Sequence, residues 1–168
     1  MTPEAAVAGL AASLLAQEIN RETLASLQSP KIVPLLIEIE PEIETLLQKD
    51  WDEHDFEDAA VEFCRLFILD PKAPARAAAF EDSNRPVVAS RIQMMIDAGH
   101  LDLPERYQSL APDHIAVLLL VFSSLNEEDG QAFKEENLFW LPQFIDRLLS
   151  SEEHVLYRLI AKSLEAIT

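Results

Sequence analysis

The sequence predicts an all-α fold, a single-domain helical bundle, and three observations carry that expectation. Glycine occurs only 3 times in 168 residues, at Gly9, Gly99 and Gly130. The strong helix formers Ala, Leu, Glu and Gln recur throughout, and no stretch alternates apolar and polar residues for long enough to lay down a half-buried strand. A chain of this length buries about two-thirds of the surface that it exposes when unfolded, so residues 1–168 are expected to share one core without covalent or metal staples.

Thr2 and Pro3 stand where a helix N-cap and its first residue belong, and the Ala/Leu pattern behind them predicts a first helix reaching about Ile19. Short helices are expected over 21–27 and 30–49, the second interrupted near Pro41. Residues 50–53 have the acidic character of a helix start. From 55 to 69, Phe56, Ala60, Phe63, Leu66 and Phe67 recur at three- and four-residue spacings, which predicts one core-facing stripe. DPKAPARAAAFEDSNRP, residues 70–86, holds prolines at 71, 74 and 86 and reads as a long connecting loop with some helix in its Ala-rich middle. Helix resumes over 86–98 and stops at Gly99. In LAPDHIAVLLLVFSSL, residues 110–125, a new helix is expected to open at Pro112 and to be broken by 126–130. Another helix covers 131–149 with a kink near Pro142, and Ser150 with Glu153 has the spacing of a capping box that opens the last helix.

Thirty Asp and Glu against 13 Lys and Arg give a formal charge of −17. Such a chain repels phosphate backbones and anionic lipid, which argues against nucleic-acid partners and favours a cationic one, although an acidic surface also serves solubility alone. The apolar run 115–122 is far shorter than the roughly 20 residues of a bilayer-spanning helix, so no stable membrane insertion is expected. No Lys or Arg precedes Arg21, so the basic start of a secretory leader is missing. The single Cys64 has no internal disulfide partner, and a reducing cytoplasm fits best.

Catalytic and metal constellations fail one by one. His54, His100, His114 and His154 belong to no HExxH or Glu-x-x-His pair. WDEHDFED, residues 51–58, is rich in carboxylates, but acids at a helix start are favoured by the helix dipole and are ordinarily solvated. NEEDG, residues 126–130, has the wrong register for an EF-hand loop, and three scattered glycines exclude a phosphate cradle. Cys64 on an apolar helix reads as inert core. No enzyme activity, cofactor or metal is expected.

Pro112, Asp113 and His114 put a polar doorway in front of an apolar helix whose Ile115, Leu118, Leu119 and Phe122 form one stripe and Val117, Leu120 and Val121 another. That helix is expected to be central, with its polar mouth exposed to a ligand. Three segments, FCRLF at 63–67, PDHIAVLLLVF at 112–122 and LFWLPQFIDRLL at 138–149, together resemble the TorD/DmsD/NarJ family of redox-enzyme maturation chaperones. The resemblance implies a TorD-like cytoplasmic chaperone domain. Its partner would be the twin-arginine leader, or another N-terminal segment, of a molybdenum-cofactor redox enzyme, held until the client has folded around its cofactor. It also implies a peptide-binding surface formed by Phe63, Leu66, Phe67, Pro112, Asp113 and His114, with Trp140 and Pro142 serving packing and a kink. The competing readings are core packing for Phe63 and Phe67, helix-end electrostatics for Asp113 and a solvated position for His114. A scaffold for some other basic amphipathic helix is the rival function. The chain is expected to be a monomer or a dimer that swaps helices through the loop at about 70–86.

Overall fold

Thr2 Oγ1 accepts a hydrogen bond from Ala5 N at 3.1 Å and Pro3 fixes φ in the first turn, so α1 (Pro3–Leu15) begins where the sequence places it. The computed structural model describes residues 2–81, 87–151 and 154–168. Asn20 caps α2 (Arg21–Leu27), and Pro41 falls in the break between α3 (Val33–Ile39) and α4 (Ile43–Gln48). A capping box, in which the side chains of Asp52 and Asp55 each accept from the other's backbone N–H at 3.1 Å, starts α5 (Glu53–Phe67). The Ala-rich middle of the following loop makes a single 3-10 turn over Ala77–Ala79.

After α6 (Val87–Asp97), Gly99 adopts φ +71°, and the N–H groups of Gly99 and His100 return to the carbonyls of Ile96 and Met95. This Schellman closure needs a residue that enters the left-handed region without a steric penalty. The short α7 (Glu105–Gln108) has no counterpart among the expected helices; its four residues are too few for periodicity to register. Then come α8 (Ile115–Ser124), α9 (Glu127–Asn137), α10 (Leu141–Ser151) and α11 (Val155–Glu165).

Several expected boundaries move. The helix expected from Pro112 opens at Ile115, because the backbone of 113–115 is engaged with the loop before α6: Ala77 N donates to Asp113 O at 3.1 Å and Ile115 N donates to Ala75 O at 2.8 Å. The helix does stop before 126–130, at Ser124, but those residues at once open the next helix rather than a loop. Asn126 Oδ1 accepts from Asp129 N at 2.9 Å, and Gly130 is buried beside the Phe122 ring. The helix expected over 131–149 is cut at 138–140 into α9 and α10. Pro142 therefore sits in a first turn, where its missing N–H costs nothing, and makes no kink. Ser150 lies inside α10 with its Oγ donating to Asp146 O at 2.6 Å, and His154 caps the last helix. Glu153 of the expected capping box and residues 82–86 of the expected loop lie outside the described residues.

The expectation of a central helix holds. Ile115 to Leu119 are each 0% exposed, with α1 along the length of α8 and α9 against it. The last helix, α11, packs on α1, α3, α4 and α10 and closes the core from the other side. Across it, Glu40, 2% exposed, takes 2.8 Å bonds from Arg158 Nε and Lys162 Nζ, which neutralises a carboxylate that burial would otherwise penalise. Among the described residues no strand occurs and no helix is long and apolar enough to cross a membrane.

Replacing Gly99 by alanine forces a Cβ into left-handed backbone and is expected to lower stability by about 1 kcal/mol. The midpoint of urea unfolding, with an unchanged slope, measures it.

Candidate functional site

The three segments that the sequence analysis singled out meet at one side of the bundle, joined by a carboxylate and a row of rings. Asp113 is 0% exposed. Its Oδ1 accepts from Arg76 Nε at 2.9 Å and its Oδ2 accepts from Ala78 N at 3.0 Å. With the two backbone bonds between 75–77 and 113–115, these contacts clasp the loop after α5 onto the start of α8; Arg76 and His114 form an isolated antiparallel bridge. The mouth of α8 is thus closed. Asp113 does not face solvent as expected, and its charge is already answered by Arg76.

His114 is partly buried, contrary to a solvated position. Burial pushes its pKa from 6.5 down to about 4, more than the neighbouring Asp113 carboxylate pulls it back up, with the Arg76 charge adding to the lowering. The neutral ring has work to do: its Nδ1 accepts from Ala116 N at 3.2 Å and so caps α8.

The rings run from α5 to the clasped loop. Phe63 and Phe67 lie 5.0 Å apart, Phe67 stacks on Phe144 at 6.4 Å, Phe144 meets Trp140 edge-on at 5.8 Å, and Trp140 stacks on Phe80 at 4.9 Å. The guanidinium of Arg147 stands 4.6 Å from the Phe80 ring centroid. Leu66, 0% exposed, and Phe63, 7% exposed, are core residues, whereas Phe67 and Pro112 are partly buried. The six sequence-predicted residues therefore gather in one region but do not themselves wall an open trough.

An open trough does occur at the end of the ring row. Phe80, Val87, Val88 and Phe139 give a hollow of about 410 Å³ its apolar lining, and Glu81, Arg91 and Glu136 its polar edge. Phe139 and Val87 are each 50% exposed, and they differ from the other exposed apolar side chains Leu35, Val61, Ile68, Leu69 and Met94 in lining this hollow together. The width is set by Arg91, which reaches from α6 to Glu136 O and to Asn137 Oδ1, both at 2.9 Å. Asn137 is 2% exposed and donates to Phe133 O at 3.1 Å, while Trp140 Nε1 donates to Asn137 O at 2.9 Å. On its other side Phe139 borders a second hollow of about 300 Å³ with Leu138, Leu141, Pro142 and Ile167. Sequence reasoning missed Phe80, Val87 and Phe139. The FW pair at 139–140 was the available signal, since a turn aims consecutive side chains in different directions. Among the described residues no group of His, Cys, Asp or Glu is placed to hold a metal ion.

A family model described as "Nitrate reductase delta subunit" matches residues 34–156. The match takes in the clasped loop, the ring row and Phe139. No curated protein matches the chain.

Asp113→Ala is expected to cost about 1–3 kcal/mol by removing the charge-assisted bonds that hold the exposed Arg76 side chain and the Ala78 N–H, and to speed proteolytic cutting in the described loop 70–81, measured by denaturation and by limited digestion. His114 has a folded pKa below its unfolded one, so its contribution to stability is complete above pH 6.5 and is lost as the pH falls toward about 4. His114→Asn keeps a capping acceptor without titrating in this window. The melting temperature of this variant is expected to decline less steeply than that of the wild type over that interval.

Proposed function

The chain belongs to the nitrate reductase delta subunit family, a family of molybdoenzyme maturation chaperones, and from that premise we propose that it binds the N-terminal leader of its client and withholds it until the client has folded around its molybdenum cofactor. The observation that carries this reading is the half-exposed Phe139, which shares the trough lining with Val87, with the Glu136 carboxylate on the rim and Glu81 turned inward to accept from Val88 N. A twin-arginine leader carries two guanidinium groups followed by an apolar segment able to form a helix. Its apolar face lies on Phe80, Val87 and Phe139 in the helix-in-groove manner, and an arginine meets the exposed Glu136 carboxylate at the rim. The long-range field of a chain with charge −17 favours the encounter.

In this reading Phe63, Leu66, Phe67, Pro112, Asp113 and His114 serve peptide binding from behind. The first three hold the ring row and the last three hold the loop that presents Phe80. The protein works in the cytoplasm and makes or breaks no bond; its output is timing. Docking requires no cofactor of its own.

Covering a half-exposed phenylalanine contributes on the order of 1 kcal/mol, and an aspartate in its place must also be desolvated. Phe139→Asp is therefore expected to weaken leader binding by about tenfold or more while leaving the melting temperature nearly unchanged. Isothermal titration with leader peptides of molybdoenzyme subunits from the same genome measures this, alongside Lys-Lys versions of each peptide. Absence of binding to every leader, or equal binding by Phe139→Asp, counts against the reading.

A further inference from the structure

Trp51, Asp55 and Asp58 of the acidic run WDEHDFED line a further concavity that shares no residue with the trough. Between α4, the start of α5 and the start of α11 lies a cleft of about 500 Å³ with Leu46, Trp51 and Val155 among its lining. Trp51 is held firmly. Its Nε1 donates to Leu46 O at 3.0 Å, the Phe56 ring packs 5.0 Å away, and the His154 ring meets it edge-on at 6.3 Å. The polar lining carries three carboxylates, Glu42, Asp55 and Asp58, against one ammonium, Lys49.

The cations near this lining already have partners. Lys49 is paired with Asp55, an interaction that lowers the pKa of the acid and raises that of the lysine. Arg158 binds Glu40 and Glu42, and Arg21 binds Glu53 at 3.1 Å while covering the Phe56 ring. Asp58 is different: its side chain is 64% exposed, and its neighbour His54, at 3.6 Å, is charged only when protonated. The cleft therefore joins an apolar, tryptophan-backed floor to negative charge that the chain's own cations leave incompletely answered.

We infer that this cleft docks a basic segment of a protein partner, one that carries arginine or lysine a helical turn away from an apolar side chain. The aliphatic stem of the basic residue packs along Leu46 and Trp51 with its charged head at Asp58, and the apolar neighbour enters toward Val155. A cleft of about 500 Å³ has room for two such side chains. An acidic segment is repelled by the same rim. The inference does not depend on the leader reading, which concerns the trough beside Phe139.

The chain's two tryptophans make the test selective, since Trp51 backs this cleft and Trp140 backs the trough. The probe is a blocked helical peptide of about three turns with arginine and leucine one turn apart, titrated into the ¹⁵N-labelled full chain while both indole N–H signals are followed. A glutamate-for-arginine peptide is the control. The Trp51 signal is expected to move saturably with the basic peptide and to stay still with the control. Asp58→Lys, at an exposed position, is expected to weaken that response by about tenfold, Asp58→Asn less, and Phe139→Asp not at all. A stationary Trp51 signal, or one indifferent to Asp58→Lys, overturns the inference. Movement of Trp140 alone overturns it too, while leaving the leader reading standing. Failure of leader binding in titration calorimetry leaves the expected Trp51 response unaltered.

Discussion

Asp113 is a carboxylate with no access to solvent, and it is stable there because its two oxygens are answered by Arg76 and by the backbone N–H of Ala78. Without those donors the desolvation cost of the charge would be prohibitive. The consequence spreads outward. Fixing residues 76–78 on the mouth of α8 brings Phe80 onto Trp140, which meets Phe144 one helical turn on, and Phe144 in turn stacks on Phe67. A loop with three prolines and a run of alanines has little apolar surface of its own with which to hold a position. The clasp supplies what its composition lacks, and the trough beside Phe139 inherits its shape from the clasp and from the Arg91–Asn137 tie on the other wall.

Where local chemistry decides the outcome, the sequence announced it. The Thr2–Pro3 start, the acidic opening of α5, the Gly99 stop and the burial of α8 all follow from caps, spacing and propensity within a few residues. Gathering FCRLF, PDH and LFWLP into one region was legible only through their family resemblance, since nothing in any one of them states its distance from the others. Chain-distant pairing stayed hidden. Arg76 lies 37 positions from Asp113, too far for a local pattern to pair them, so the sequence presents Asp113 as an open carboxylate when it is a closed one. At 138–140 the sequence signalled a disturbance through Pro142, which cannot donate to the Leu138 carbonyl, but not the tie between Asn137 and Arg91 across 46 positions that accompanies the break.

The two concavities divide the surface chemistry between them. The trough next to Phe139 has large exposed apolar side chains and a thin carboxylate rim, a combination matched to an apolar helix led by a few positive charges. The cleft over Trp51 has a better-covered floor and more charge, which suits a single basic side chain and its neighbour. In the proposed reading, a chaperone that must recognise one client and then let it go gains from several modest contacts. Each releases quickly, yet together they discriminate.

Amide hydrogen exchange of the whole chain, with and without a client leader peptide, tests the proposed role of the clasped trough most directly. The account predicts slower exchange on binding in the segments 75–81 and 136–140, with the α2 amides unchanged. Equal exchange in both segments at saturating leader, or protection confined to the opposite face of the bundle, would contradict it.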